Sequence, residues 1–213
     1  MHSVYIKFGS TKNIEDMYEN EYLYFSSLND FRAPIENTGR NDPLEGSLNH
    51  LLINAGKISV PGKNFELKIN AGHINEYSKN NNGKICSMYT LNVDLSGKKD
   101  AIDLRLTELG EKALIFHNWN NFISLLSEAC KSDPEILYYG YRAVEYYDKK
   151  INYQDLTPYH KENSFQYQNE YRILLCRERT GSFKLFIPGL RQCCAVFDID
   201  LIEKLNITFN EGL

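Results

Sequence analysis

The chain has 213 residues, enough for one domain with a substantial core, and its 42% hydrophobic and 24% charged residues give the balance of an ordinary soluble protein. A formal net charge of -4 argues against a protein that coats nucleic acid by charge alone, but leaves room for an enzyme with a local basic cleft. The start, Met1-His2-Ser3-Val4-Tyr5-Ile6-Lys7, lacks the basic-then-apolar plan of a signal peptide, and no apolar run is long enough to span a membrane.

Ser3 to Gly9 alternates Val4, Ile6 and Phe8 against Tyr5 and Lys7, which predicts a short strand. A helix is expected from about Thr11 to Asn20, with Ile14, Met17 and Tyr18 as its apolar stripe and Glu15 and Asp16 in its first turn. Glu21 to Ser27, around Tyr22-Leu23-Tyr24-Phe25, reads as a second strand. Leu28 to Gly46 is rich in turn residues and long for a connection, which marks it as mobile or functional. Short strands broken by Gly and Pro follow from Ser47 to Tyr77, and Asn80-Asn81-Asn82-Gly83 makes a turn before a strand over Lys84 to Thr90. Ala101 to Leu106 alternates again, and Ala113 to Phe116 is a buried run. Trp119, Phe122, Ile123, Leu126 and Cys130 recur at helical spacing, so a helix is expected from about Asn118 to Lys131, with Trp119 in the core. After Pro134 the chain reads as β-rich: Ile136 to Tyr147, Phe165 to Cys176, Phe183 to Ile187 and Cys193 to Ile199. There is no internal repeat, low-complexity tail or dividing linker, so one α+β domain over 1–213 is expected, a strand-rich core with a few helices.

The segment Phe165 to Leu175 carries the most specific pattern. In a strand, residues two apart point the same way, so Gln168, Glu170 and Arg172 would share one face and Tyr167, Tyr171 and Ile173 the other. By pattern alone such a polar face is ordinarily a solvated one. Cys86, Cys130, Cys176, Cys193 and Cys194 form no CxxC and no zinc spacing, and their odd number reads as reduced, mostly buried thiols of a cytoplasmic protein. Cys86 is better read as a core thiol than as a nucleophile. His2, His50, His73, His117 and His160 show no ligand spacing, so no metal site is expected.

Several patches occur in a recognisable order: Tyr5-Ile6-Lys7-Phe8, Tyr22-Leu23-Tyr24-Phe25-Ser26-Ser27, Asn41-Asp42-Pro43-Leu44-Glu45, Ile85-Cys86-Ser87 and Gln168-Asn169-Glu170-Tyr171-Arg172-Ile173. They resemble a family of small bacterial proteins with a "YKY" first strand, a "lyFSs…fNDPfE" segment, a "CFS" strand and a late "ExEyRi" strand. The order also parallels the bacterial mono-ADP-ribosyltransferases, toxins and phage-defence effectors among them. The match covers most of the chain in short patches, the third and the last being the more specific. The chain departs from that pattern at Lys7, where many such enzymes have Arg or His, and at Phe25-Ser26-Ser27, where many have Ser-Thr-Ser.

The resemblance implies an ADP-ribosyltransferase-like core of two packed sheets, NAD as co-substrate, a nucleic acid or protein side chain as acceptor, and an antitoxin or inhibitor protein as a possible partner. Cleaving the nicotinamide bond of NAD develops an oxocarbenium-like ribose, which a neighbouring carboxylate stabilises. Glu170 is the candidate, with Gln168 orienting the acceptor. Lys7, Arg32 and Arg40 are candidates for the pyrophosphate, Tyr5, Tyr24 and Phe25 for ring walls, and Ser26 and Ser27 for hydroxyl contacts to the ribose or to Glu170. Each has a plainer alternative. Lys7 could be a solvated strand residue, and Ser26 and Ser27 could simply end a strand. Asp42 and Glu45 could cap a helix or make a turn, and Arg172 could pair with Glu170 or another carboxylate as a modest surface contact. Hydrolysis of NAD, with water as acceptor, and a non-catalytic nucleotide- or partner-binding module are the rival functions.

Overall fold

In a computed structural model, residues 2–32, 42–78, 82–94 and 96–207 are described. The chain opens with β1 (His2–Gly9), α1 (Thr11–Glu19), β2 (Tyr22–Ser27) and the short α2 (Leu28–Arg32). Ser10 caps α1, its hydroxyl accepting from Asn13 N at 3.4 Å, and Ile14 and Met17 are the residues α1 buries. β3 (Ser47–Ile53), β4 (Gly56–Ser59), β5 (Glu66–Ile69) and β6 (Gly72–Tyr77) form two antiparallel ribbons, β3 with β6 and β4 with β5. β7 (Gly83–Val93) is the longest strand; β8 (Lys112–Phe116) and α3 (Trp119–Ser132) follow it. Asn118 caps α3 by accepting from Asn121 N at 3.2 Å. The rest is β9 (Ile136–Ala143), β10 (Glu145–Tyr147), β11 (His160–Glu162), β12 (Glu170–Arg177), β13 (Phe183–Phe186), β14 (Cys194–Asp198) and α4 (Ile199–Ile202).

The architecture is strand-rich α+β, as expected, but where two packed sheets were expected, eight of the described strands join one large antiparallel sheet and the other six form three two-stranded ribbons. β7 is its axis. On one side β7 pairs with β12 from Glu170↔Tyr89 to Cys176↔Gly83, and β9 pairs with the far edge of β12. On the other side two strands share β7. β1 takes one end (His2↔Val93 to Ile6↔Tyr89) and β2 the other (Ser26↔Ile85, Ser27↔Lys84). β1 then turns away to pair with β8, which pairs with β14, while β2 pairs with β13. The sheet therefore forks, and Cys86, Ser87 and Met88 lie between the prongs.

Alternation along β7 assigns its two faces. Cys86 and Met88 point into the larger core with Ile173, Leu175, Phe25 and Phe116, covered by Phe122, Leu126 and Cys130 of α3. Tyr89, Leu91 and Val93 point the other way, toward Ile6, Phe8, Leu106 and Ile202. Burying these apolar faces is the main stabilising term, roughly 25 cal/mol per Å² removed from water. The described cysteines are all free thiols, buried except for half-buried Cys176. No described helix is long and apolar enough to cross a membrane.

Two expected strands are corrected. Asn163–Gln168 is a 3-10 helix, and β12 begins only at Glu170. Glu162 caps that helix by accepting from Ser164 N at 3.2 Å, and Asn169 ends it in the left-handed region at φ 37°, which Asn tolerates better than most residues. Leu104–Leu109 is also a 3-10 helix, capped by Asp103. The Leu28 to Gly46 loop begins with α2, its turn at 43–46 leads into β3, and residues 33–41 lie outside the described ones.

Candidate active site

The fork in the sheet opens a cavity of about 480 Å³. One wall is the β7–β12 pair, contributing Ile85, Ser87, Glu170 and Arg172. The prongs supply Ile6–Gly9 from β1 and Tyr24 and Ser26 from β2, and α1 closes one end with Asn13, Asp16 and Met17. Across the gap Lys7 Nζ donates to the Ser87 carbonyl at 3.1 Å, doing for that backbone acceptor what a neighbouring strand would otherwise do.

The polar end is built around Glu170. Its position at the start of β12, paired with Tyr89 of β7, turns its side chain to the cavity face together with Arg172. Arg172 is fully buried; its Nε donates to Glu170 Oε2 at 2.7 Å. Lys161, on β11, donates to Glu170 Oε1 and to Gln168 Oε1, the latter at 2.7 Å. The backbone N–H of Glu170 donates to the Tyr146 hydroxyl at 2.9 Å. Behind Arg172 lies Glu45, whose two oxygens accept from Nη1 at 2.7 Å and Nη2 at 2.8 Å. Burial opposes the charge of Glu170, but the Arg172 guanidinium and the Lys161 ammonium outweigh it and hold the carboxyl below the usual carboxylate range. Asp42 goes the other way. Burial, then the nearby Glu45 charge, pushes it up to about 6 against the partial relief of Lys161 and Arg172.

The opposite end holds a smaller group. The Tyr22 hydroxyl donates to Asp16 Oδ2 at 2.5 Å, and Lys184 Nζ reaches the same oxygen at 2.9 Å while lying 4.1 Å over the Tyr22 ring. The cavity lining thus includes four cationic side chains, Lys7, Lys161, Arg172 and Lys184, against Asp16 and Glu170. That balance suits an elongated anionic ligand.

Of the sequence candidates, the structure brings Glu170, Gln168, Lys7, Tyr24 and Ser26 to the cavity. Gln168 gets there from the end of the 3-10 helix and not from the strand face expected for it. Tyr5 faces the α3 side of the sheet, its ring 3.8 Å from Trp119 and 4.6 Å from Tyr171, because it pairs with Phe116 in that core. Phe25 is a fully buried core residue stacked on Phe183, since alternation on β2 turns it away from Ser26. Ser27 is buried and joins β2 to α2: its N–H donates to Ser182 Oγ at 2.8 Å and to Asp30 Oδ2 at 3.2 Å, and its hydroxyl accepts from Asn29 N at 3.3 Å. Arg32 lies outside the lining, its guanidinium 4.4 Å over the Tyr77 ring. Arg40 and Asn41 lie outside the described residues. Arg172 is no surface pair but a buried centre with two carboxylates. Sequence reading missed Lys161, Asp16 and Lys184 as site residues: Asp16 and Lys184 lie within elements whose apolar pattern was legible, but no motif marks any of the three as part of a site.

Compared with family models, curated proteins and solved structures, the chain matches none.

Proposed function

We propose that this chain is an NAD-dependent mono-ADP-ribosyltransferase acting on a macromolecular acceptor, a nucleic acid or a protein side chain. The observation that carries the proposal is the forked sheet, whose cavity has Glu170 and Gln168 together at one end and cations along its length. A cavity of about 480 Å³ is of the size that takes a ligand with two ring systems, and cavities in the range of roughly 300–1,000 Å³ are typical of small-molecule sites. Lys7, Lys161 and Lys184 supply positive charge for a pyrophosphate, and Tyr24 offers a ring wall. Glu170, held ionised by its two cationic neighbours, accepts a hydrogen bond from a ribose hydroxyl. It also stabilises the positive charge that grows on the ribose as nicotinamide leaves. Gln168, adjoining it through Lys161, orients the acceptor. The free thiols suit a reducing compartment, the cytoplasm, and the resemblance suggests a bacterial toxin or phage-defence effector restrained by an antitoxin or inhibitor protein.

A second reading, a binding module without catalysis, is favoured by the engagement of both Glu170 oxygens by the protein's own cations. A carboxylate offers about four acceptor sites, so two bonds leave capacity for a ribose hydroxyl. The deciding experiment is incubation with NAD labelled in its ADP-ribose half and a cell lysate, followed by separate nuclease and protease digestion. Label on a macromolecule, with nicotinamide released in step, is the expected outcome. Nicotinamide release without label transfer means a glycohydrolase. Binding of NAD without release means the non-catalytic module.

A further inference from the structure

We propose that Glu45 is a positioning residue for this cleft: by holding and neutralising Arg172 it leaves Glu170 effective as an anion toward the reacting ribose. The inference rests on the NAD-cleaving reading above and gives the Asp42–Glu45 turn a role that its sequence did not disclose.

Glu45 and Arg172 are 127 residues apart in the chain, and both are almost wholly shielded from water. Four of the five Arg172 N–H groups are committed. Nη1 and Nη2 go to the two Glu45 oxygens, Nη1 also donates to the Pro158 carbonyl at 2.5 Å, and Nε goes to Glu170. A bidentate grip of this kind fixes the plane of the guanidinium, and Nε then fixes which Glu170 oxygen is occupied and which way the carboxylate faces. Within the ion pairs Glu45 and Glu170 are matched to Lys161 and Arg172, and Asp42 adds a further buried carboxyl beside them. Without Glu45 the Arg172 guanidinium keeps Glu170 as its ion-pair partner and draws on the carboxylate that must act where the ribose becomes cationic. In a site screened from water, that pull is stronger than it would be in solution. Stability alone does not call for such an arrangement, because buried ion groups are often replaced by apolar side chains at no loss.

The test uses the full chain and steady-state nicotinamide release from NAD. Glu45→Gln keeps the shape and removes the charge. It should lower kcat by about tenfold or more while KM stays within about threefold, the signature of lost transition-state stabilisation. A purely structural tie predicts instead a lowered melting temperature with kcat and KM of the folded protein unchanged. Thermal melting checks that each variant is folded. Should Glu45→Gln not fold, Glu45→Asp keeps the charge with a shorter reach, and kcat within about threefold of wild type supports the proposal whereas a tenfold loss overturns it. Native kcat in folded Glu45→Gln also overturns it while leaving the NAD reading intact. A wild-type chain that releases no nicotinamide sinks that reading, and the role of Glu45 with it.

Discussion

Replacing Asp42 with asparagine should stabilise this protein at neutral pH, although it removes a buried group that makes a good hydrogen bond. Asp42 is 2% exposed, and its Oδ1 accepts from Leu44 N at 2.9 Å. Burial first, and the Glu45 charge second, raise its carboxyl from 3.8 to about 6. A carboxyl with a raised folded-state value binds its proton more tightly when folded. Its contribution is therefore fully present below about 3.8 and is lost as pH rises through about 6. The difference corresponds to roughly 3 kcal/mol of penalty at neutral pH, at about 1.4 kcal/mol per pH unit, an upper figure because buried coupled charges relax. Asparagine keeps an acceptor for Leu44 N and carries no charge, so the gain at pH 7.5 should be about 1–3 kcal/mol, fading to nothing near pH 4. Urea denaturation of both proteins at half-unit steps from pH 4.5 to 8 measures it. Glu170 has the opposite sign, with a lowered value whose stabilisation is lost only in stronger acid, and it is common to both proteins, so the difference isolates Asp42. A variant no more stable than wild type at pH 7.5, or a gap that does not grow with pH, would refute the reasoning.

Four further substitutions test the fold and the site. Gly110→Ala should destabilise by about 3 kcal/mol or more, seen as a large drop in melting temperature, because Gly110 has φ +148° and an added Cβ would lie 2.1 Å from the Gly9 backbone. Arg172→Met should cost about 3–5 kcal/mol in denaturant melts, since it strands Glu45 and Glu170 as buried carboxylates; a near-neutral result would mean both reach water. Gln168→Ala should abolish transfer of label to the macromolecule yet keep slow nicotinamide release, whereas Glu170→Ala should lose both; equal loss of the two activities in Gln168→Ala would end the proposed division of labour.

Periodicity made the framework legible. Val4, Ile6 and Phe8 marked β1, Ile14 and Met17 marked α1, and Phe122, Leu126 and Cys130 marked α3, because each set buries one face at the period of its element. The same reasoning failed where short apolar alternation is satisfied by a tighter turn. Ile102, Leu104 and Leu106 alternate like a strand, yet Leu104 is 70% exposed and Leu106 is buried, because Asp103 starts a 3-10 helix between them. Phe165 and Tyr167 misled in the same way. The signals that decide there are Glu162 as a cap and Asn169 as a left-handed stop, two residues whose effect depends on conformation and not on period. Of the site, Glu170 and Gln168 were readable as a pair, but their chemistry was not, since it is set by Lys161 and by an arginine whose own partner lies 127 residues upstream.

The place of the cavity follows from a conflict in the sheet itself. β7 is long enough to serve two neighbours on one side, and β1 and β2 divide it because β1 leaves after Ile6 to pair with β8 while β2 pairs with β13. Between them the Ser87 carbonyl gains no strand, and a buried carbonyl left unmet is costly. The chain answers with Lys7, a side chain long enough to cross the gap and charged enough to hold the carbonyl strongly. Alternation sends Lys7 to the Cys86 side of the sheet, and between the prongs its amino group reaches the Ser87 carbonyl and lines the opening. The same cation that completes the sheet therefore faces the cavity. A sheet that zipped β1 directly to β2 would gain ladder bonds and leave Glu170, Lys161 and Arg172 with no opening to face. The fork is where ladder pairing gives way to a site, and the buried charges of β12 have chemical meaning only because it is there.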